Sequence, residues 1–400
     1  MEIPDGRSYR KFKYNDQMKV VYVIDSLASK GGAERILSDK MNYMTAHYGY
    51  NVYVVTCYQN PSKNPNAYFL SDKVEQINLN IPYYSQYSYG YPKRLWVKWR
   101  MYRELQQKLK ATIKEINPDI LIGLGYFMAD VVTGIRCRAA KIVESHEARI
   151  FTLTDKGLSR SFLSRAYMKY YRKHYFRIVE RKADVVVTLT TGDAKEWKNA
   201  KRVEVIPNFT VMPVEKYSSC KTKRVIAVGR LEWQKGFDRL IDAWAMVHQK
   251  HSDWQLYIYG SGTLEHDLKR QIRDCGLENN VVVRPFTSDI NQKYAESSIL
   301  VLSSRFEGLS LVLLEAIQIG LPCVVFDCPF GPRDVIVDNK NGFIVKDGDI
   351  KSFANRICQL MEDDDLRKRF SRSSIEQSKL FDVDIVMGQW KNLFEELTPK

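Results

Sequence analysis

Short apolar segments separated by longer helical patterns constrain this chain most. Each segment is apolar almost without a break and rich in Val and Ile, which is typical of a strand covered on both faces, as in a parallel sheet. The stretches between them suit helical crossovers between parallel strands. The segments are 19–27, 50–58, 119–125, 141–147, 183–190 and 203–208, followed by 224–231, 254–262, 280–286, 298–304, 322–327 and 341–346.

The two successive sets of segments predict two α/β domains. The polar stretch 207–223 contains two prolines and separates the sets, so we place the boundary there. We expect one domain over 1–208, a second over 209–381, and a helix over about 382–400 that could pack back on the first domain. Ligands of open α/β sheets bind beyond the carboxyl ends of the strands, so functional residues are expected in the loops that follow them.

Composition excludes several classes of protein. With 44% apolar and 27% charged residues, the 400-residue chain is not expected to be disordered. No uncharged apolar run approaches the ~20 residues that span a bilayer, and the N-terminus has no signal-peptide core. The seven cysteines are scattered and form no Cys-x-x-Cys pair, which favours a reduced, cytoplasmic protein without structural zinc.

The net charge of +14 is concentrated in one half of the chain. Residues 1–210 hold 35 Lys and Arg against 20 Asp and Glu, whereas residues 211–400 hold 26 against 27. A basic half indicates an anionic partner such as nucleic acid, acidic lipid or a polyphosphorylated ligand. The alternative is a cationic surface that only maintains solubility.

Two loops after predicted strands carry residues suited to a phosphate. Gly31 and Gly32 open a predicted helix, where the backbone could approach a ligand and free N–H groups could face an anion; a plain glycine turn is the alternative. Arg230 and Lys235 share one loop, so both could point at one diphosphate. Alternatively, these two are solvated surface cations.

A third loop, after segment 298–304, combines two carboxylates with a helix start. Glu315 stands in an apolar stretch, so it should have a partner, which could be a ribose diol, a neighbouring Arg or a helix cap. Glu307 could accept hydrogen bonds from sugar hydroxyls. The N–H groups of Gly308, Leu309 and Ser310 would face phosphate.

These loops together resemble a known family. Glu307 and Glu315 form an E-x7-E pair, and with GGAER and GRLEWQKGFDRLI the chain resembles the retaining glycosyltransferases of family 4. The resemblance implies the GT-B fold, in which two Rossmann-like, doubly wound α/β domains face each other across a cleft. The first domain would bind the acceptor and the second the nucleotide-sugar donor.

The resemblance also implies roles for these residues. Arg230 and Lys235 would bind the donor diphosphate and stabilise the leaving nucleotide, Glu315 would hold the ribose, and Glu307 would touch the donor sugar. The glycines at 31 and 32 would approach the diphosphate and the reacting sugar. No metal or other cofactor would be needed, because the cations and a helix N-terminus supply the positive charge.

Four further features of the sequence can be interpreted beside this resemblance. His146 ends segment 141–147, where family members often place an active-site His, and we expect it to bind a donor-sugar hydroxyl rather than act as a general base. The acidic runs 347–349, 363–365 and 382–384 are interpreted as turns or helix caps. The glycine pair in 260–262 predicts a tight turn near the nucleotide. Segment 327–334 resembles the G-P-x-[DE] turn of bacterial polysaccharide and lipid-linked oligosaccharide transferases.

Cations and aromatic residues alternate in two stretches of the first half. Stretch 156–182 predicts a basic amphipathic helix, and 93–103 has a similar composition. These stretches could dock on anionic lipid and reach the diphosphate of a polyprenyl-linked acceptor, or the helix only packs its aromatic face. The cations that share one face of the predicted helix are Arg165, Lys169, Arg172, Lys173 and Arg177.

The leading hypothesis is therefore an enzyme that moves a hexose or N-acetylhexosamine from a nucleotide sugar, with UDP preferred, to a membrane-held glycan. It would retain the anomeric configuration and work in the cytoplasm, on the inner face of the cytoplasmic membrane. The alternatives are a nucleotide-sugar epimerase of the same fold and a basic nucleic-acid-binding protein. No zinc-finger, RNP or helix-turn-helix pattern supports the last, so nucleic acid is not an expected partner.

Overall fold

The chain is described by a computed structural model over residues 17–59, 62, 65–146, 170 and 176–398. Two parallel sheets dominate these residues. The strands of the first sheet are β1 (Lys19–Ile24), β2 (Asn51–Thr56), β3 (Glu75–Asn78), β4 (Ile120–Leu124), β5 (Ala140–Ser145), β6 (Val185–Thr188) and β7 (Val203–Val205). Those of the second are β8 (Arg224–Val228), β9 (Gln255–Tyr259), β10 (Val281–Arg284), β11 (Ile299–Leu302), β12 (Cys323–Asp327) and β13 (Gly342–Lys346).

Helices alternate with the strands. They are α1 (Gly32–Tyr43), α2 (Lys93–Ile116), α3 (Gly125–Gly134), α4 (Thr191–Ala194), α5 (Phe237–His248), α6 (Glu265–Asp274), α7 (Ile290–Ala295), α8 (Leu311–Gln318), α9 (Pro332–Val335), α10 (Ile350–Glu362), α11 (Asp364–Ser378) and α12 (Val383–Leu397). Residues 176–182 are also helical. Shorter helical turns cover Met44–Tyr48, Tyr83–Ser88, Trp233–Lys235 and Lys379–Phe381. None of the helices in the described ranges is both long and apolar enough to cross a bilayer.

In each sheet, the strand order changes direction at the strand that comes first in the chain, which is β1 in the first sheet and β8 in the second. The first sheet runs β3-β2-β1-β4-β5-β6-β7 and the second β10-β9-β8-β11-β12-β13. In β1, every residue after Lys19 is buried, and the strand pairs in parallel with β2 from Lys19↔Asn51 to Ile24↔Thr56. Burial on both faces explains why these strands are apolar almost throughout. The prediction of two parallel sheets with alternating helices is confirmed.

One strand escaped the sequence analysis. β3 has the sequence EQIN, and its four residues are exposed or half-buried at the edge of the first sheet. An edge strand covers less apolar surface than a central one, so no apolar run marks it in the sequence.

The described residues fall into two compact units. The first comprises residues up to 123 and 130–141, and the second comprises 124–129 and 142 onward. In the second unit, Trp244, Phe326, Phe343 and Phe353 belong to one buried cluster around β8, β9 and β12. Also in this unit, Arg202 Nη2 next to β7 donates to Glu396 Oε2 of α12 at 2.7 Å.

Candidate functional site

Lys235 and Glu307 meet in the second unit. Lys235 Nζ donates to Glu307 Oε1 at 2.7 Å, and Ser304 Oγ donates to the same oxygen at 2.6 Å. Their side chains are nearly buried, with 14% of Lys235 and 6% of Glu307 exposed. The structure thus brings together two of the predicted site residues, which are 72 positions apart in the sequence.

The backbone around Lys235 is held by close glycine contacts. A Cβ at Gly229 would lie 3.2 Å from the Lys235 stem, so this stem crosses the end of β8. Gly236 has φ +64°, and a Cβ there would lie 2.2 Å from the carbonyl oxygen of Ser303. Ser303 Oγ in turn donates to the carbonyl oxygen of Lys235 at 3.0 Å. The loop that carries Lys235 is therefore fixed against the end of β11.

Arg230 lies in the same loop but is exposed. One of its Nη atoms lies 3.4 Å from Gln234 Oε1. Gln234 Nε2 donates to the Phe306 carbonyl at 3.1 Å, so the loops after β8 and β11 are linked here too. The Arg230 guanidinium is thus available to an anionic ligand from solvent.

The predicted turn at 260–262 lies against this loop. A Cβ at Gly260 would lie 1.9 Å from the Gly229 carbonyl oxygen, and one at Gly262 would lie 2.5 Å from that of Leu231. Leu231 N donates to the Ser261 carbonyl at 2.9 Å. The two glycines are needed because the backbones touch, which confirms the prediction of a tight turn.

Glu315 is buried in α8 and paired with a phenol. Tyr294 Oη donates to Glu315 Oε2 at 2.9 Å, and both side chains are buried. The apolar stretch around Glu315 predicts a partner for this carboxylate, but Tyr294 is not among the candidates, which are a ribose, an Arg and a helix cap. Tyr294 lies in α7, 21 positions away, and no local signal pointed to it.

Ser310 precedes the first residue of α8. Its backbone is extended (φ −71°, ψ 114°), and its side chain makes no capping hydrogen bond. The hydroxyl is buried and has no hydrogen-bond partner among the described residues. A buried unpartnered hydroxyl is costly, so this position suits a ligand oxygen.

The Glu307–Ser310 loop contacts two other segments of the second unit, one at His146 and one at 329–331. A Cβ at Gly308 would lie 2.7 Å from the His146 carbonyl oxygen. Gly331 has φ +92°, and a Cβ there would lie 1.9 Å from the Gly308 carbonyl oxygen. Glu307 and Phe330 add a backbone link, since Glu307 N donates to the Pro329 carbonyl and Phe330 N to the Glu307 carbonyl, each at 3.2 Å.

His146 lies beside this loop at the end of β5. Its Nε2 is 2.8 Å from Glu144 Oε1, and both side chains are buried. This contact fixes the ring, while the His146 backbone contacts Gly308. A small pocket at this place is lined by Ser145, His146, Leu189, Thr190, Asp193 and Gly308.

Asp334 and Arg333, in the turn that resembles the G-P-x-[DE] motif, have local partners. Asp334 Oδ1 accepts from both Thr191 N and Thr191 Oγ1 at 2.9 Å. Arg333 makes two hydrogen bonds to Asp327, at 2.7 and 2.6 Å. Both residues therefore hold the 327–334 turn against which Gly308 lies.

Arg305 and Asp238 are structural members of the site that the sequence analysis missed. Arg305 makes two bonds to Asp238, at 2.8 and 2.5 Å, and its guanidinium lies 4.3 Å from the Trp233 ring centroid. Burial raises the pKa of Asp238, but the hydrogen bonds and charge of Arg305 outweigh this effect, and the net pKa is lowered. This pair braces the loop that carries Lys235.

The remaining predicted residues lie in other parts of the chain. Gly31 and Gly32 lie in the first unit at the start of α1, as the helix prediction required. Arg177 is exposed in the helical stretch 176–182. Arg165, Lys169, Arg172 and Lys173 lie outside the described residues.

The acidic runs act as helix caps. Asp349, Asp363 and Asp382 accept backbone N–H bonds at the starts of α10, α11 and α12, which confirms this interpretation. Within the described ranges, no cluster of three or more His, Cys, Asp or Glu side chains could hold a metal ion. The seven cysteines, all within the described ranges, form no disulfide bonds with one another.

Known proteins resemble this chain in sequence and fold. Residues 214–377 match the family model for glycosyl transferases group 1. An uncharacterized glycosyltransferase of Haemophilus influenzae is 28% identical over 94% of this chain and 99% of its own length. The amylovoran biosynthesis glycosyltransferase AmsD of Erwinia amylovora is 32% identical over 53% of this chain, which spans 62% of its length.

A solved structure supports the predicted fold. A TarM mutant of S. aureus, in complex with fondaparinux, alpha-GlcNAc-glycerol and UDP, matches with a TM-score of 0.75 at 16% identity. The match covers 94% of this chain and 100% of that one. The GT-B architecture predicted from the sequence is confirmed.

Proposed function

We propose that this chain, a glycosyltransferase with the GT-B fold, transfers a hexose or N-acetylhexosamine from a UDP-sugar to a membrane-held glycan with retention of configuration. The observation that carries the proposal is the nearly buried Lys235–Glu307 pair, which joins the loop after β8 to the loop before α8, where the Ser310 hydroxyl lacks a partner among the described residues. A cation, a helix N-terminus and an unpartnered hydroxyl beyond the carboxyl ends of parallel strands suit a diphosphate.

The donor diphosphate lies, in this proposal, against the start of α8. The N–H groups of Gly308, Leu309 and Ser310 face its oxygens. Lys235 lies beside it, and since an ammonium has three donors, the Glu307 bond leaves two for phosphate.

Three further residues complete the donor site. The exposed Arg230 adds a second cation, as a guanidinium suits paired phosphate oxygens. Glu315, held by Tyr294, accepts from the ribose hydroxyls. His146 and Glu307 bind hydroxyls of the donor sugar, next to the Gly308 contact.

The chemistry is a same-face substitution at the anomeric carbon. The bond to the β-phosphate oxygen breaks while the acceptor oxygen bonds to the face that the phosphate leaves. The departing phosphate accepts the acceptor proton. Lys235, Arg230 and the α8 N-terminus stabilise the charge that develops on the leaving nucleotide, so the proposal requires no metal or other cofactor.

The choice of UDP and of a membrane-held acceptor has separate support. The TarM mutant was solved with UDP. Residues 1–210 carry the whole excess of positive charge, which favours an anionic surface or a diphosphate-linked acceptor. We therefore place the enzyme in the cytoplasm, peripherally on the inner face of the cytoplasmic membrane, with a glycan in polysaccharide assembly, carried on a polyprenyl diphosphate, as its acceptor.

Two measurements test the proposal. UDP should raise the melting temperature more than GDP or ADP, because a ligand of the folded state stabilises it by mass action. Proton NMR of the first product formed from an α-linked donor should find an α linkage. No stabilisation by any nucleotide, or a β-linked product, would contradict the proposal; conversion of the donor sugar without acceptor would favour an epimerase.

A further inference from the structure

Helix α2 in the first unit has two apolar faces, and only one is packed. Val97 and Met101 are buried, whereas Leu95, Trp96 and Trp99 are 52%, 57% and 54% exposed. At 100° per residue, Leu95 lies about 200° around the helix from Val97, and Trp99 lies equally far from Met101. A surface helix normally buries its apolar stripe, so a second exposed stripe indicates an interaction surface.

Cations stand over the aromatic rings of this exposed face. The Arg100 guanidinium lies 5.0 Å from the Trp96 ring centroid, and that of Arg103 lies 4.9 Å from Trp99. The segment before the helix repeats the pattern, with Arg94 4.1 Å from the Tyr87 ring and Lys93 4.7 Å from the Tyr89 ring.

The charged residues in the stretch of chain that carries this surface are all basic. Between Glu75 and Glu104 the chain contains no Asp or Glu, whereas five Lys and Arg occur within 93–103. Each cation close to anionic lipid strengthens binding about five-fold. Trp and Tyr favour the boundary between water and hydrocarbon, where the ring is buried and its polar edge stays wet.

We propose that this aromatic-basic surface docks the enzyme on a bilayer that contains anionic lipid. A soluble polyanion would pair with the cations but would leave Leu95 and the 82% exposed Tyr91 in water. The surface comprises Tyr84, Tyr87, Tyr89, Tyr91, Leu95, Trp96 and Trp99 with Lys93, Arg94, Lys98, Arg100 and Arg103. The inference rests on the proposed membrane-held acceptor, but lipid binding is measured without turnover, so the two can fail separately.

The test is flotation of the full chain with two kinds of vesicle, phosphatidylcholine alone and phosphatidylcholine with about one third phosphatidylglycerol. Wild type should float only with the anionic vesicles, with a blue shift of tryptophan emission. Trp96→Ser with Trp99→Ser should abolish the blue shift and weaken binding at least about 10-fold. Lys93→Ala, Arg94→Ala and Lys98→Ala together should weaken it about 100-fold.

Matched controls separate this surface from general effects. Phe69→Ser with Tyr217→Ser removes two exposed aromatic residues elsewhere, and Lys250→Ala, Lys340→Ala and Lys351→Ala remove three exposed cations. Both controls should bind vesicles as wild type does. The thermal shift by UDP should be unchanged in every variant, which demonstrates that each is folded.

Three results would overturn the inference. One is that wild type binds both kinds of vesicle equally well or binds neither. Another is that the variants and their controls lose binding to the same extent. The third is that soluble polyglycerol phosphate binds through Lys93, Arg94 and Lys98 while vesicles do not, because the surface would then recognise an anionic polymer.

Discussion

Lys235 Nζ lies 2.7 Å from Glu307 Oε1, and this nearly buried ion pair joins the loop after β8 to the loop after β11. The pair holds the ammonium in place without a donor molecule. A charge that is already fixed costs no reorganisation when the leaving group departs, which is the condition for effective electrostatic catalysis.

The ion pair should have separable roles in stability and turnover. Lys235→Met should lower the rate about 10²–10³-fold and destabilise the fold by about 3 kcal/mol, because Glu307 is left buried without its cation. Adding Glu307→Gln removes that charge and should restore most of the stability but none of the turnover. Urea unfolding and initial rates measure both. Lys351→Met, an exposed control, should change neither; joint recovery of rate and stability in the double variant would refute this assignment.

The close approach of Gly331 to the Gly308 carbonyl predicts a sensitive position. Gly331→Ala should weaken UDP binding about 10-fold or more, because its Cβ would lie 1.9 Å from that oxygen and displace the loop that starts α8. Gly348→Ala is a matched control: its φ is +80°, but nothing lies within 4 Å of a Cβ there. Both variants should lose about 1 kcal/mol to backbone strain, and only Gly331→Ala should lose nucleotide affinity in calorimetry. Equal affinities would argue against this loop as the phosphate site.

The buried Ser310 hydroxyl predicts opposite effects with and without ligand. Ser310→Ala should raise the stability of the free protein by up to about 1 kcal/mol, because a buried group without a partner is removed. The same change should weaken UDP binding about five-fold through loss of one phosphate hydrogen bond. Melting curves without UDP measure the expected gain in stability, and melting curves with UDP measure the expected loss of binding. A variant that is less stable but binds UDP normally would mean that the hydroxyl has a structural role.

Asp25, directly after β1 in the first unit, predicts a pH dependence of stability. Burial raises the pKa of its carboxyl from 3.8 to about 6, so folding favours the protonated form. The resulting destabilisation is absent below pH 3.8, grows between pH 3.8 and 6, and is complete above that. Asp25→Asn should therefore be more stable than wild type near pH 8, by about 1 kcal/mol after solvent screening, and equal to it near pH 4. Urea unfolding of both proteins near pH 4 and near pH 8 measures this difference in stability. The same difference at both pH values would contradict a raised pKa for Asp25.

The fold was largely predictable because its central strands are covered on both faces. Burial on two sides forces nearly continuous apolar runs such as KVVYVI in β1, and these runs mark both sheets. β3 lacked this signal because its polar residues form an edge.

The site was predictable only where loops follow strands. Lys235 and Glu307 were singled out because each follows a strand end, but their ion pair was not predicted, and Tyr294 and Asp238 were missed. Those two act through tertiary contacts with Glu315 and Arg305. Tyr294 lies in no motif, and the GRLEWQKGFDRLI motif that contains Asp238 does not indicate its partner. The roles of Gly31 and Gly32 and of the basic face from Arg165 to Arg177 stay predictions.

Titration calorimetry in the presence of EDTA determines whether the Lys235–Glu307 pair belongs to a diphosphate site that needs no metal. It compares UDP with uridine in wild type and in the Lys235→Met, Glu307→Gln double variant. Wild type should bind UDP without a divalent ion, and the double variant should bind UDP at least about 10-fold more weakly. Uridine affinity should be the same in both proteins. Equal UDP affinity in the two proteins, or UDP binding that requires a divalent ion, would contradict the proposed diphosphate site.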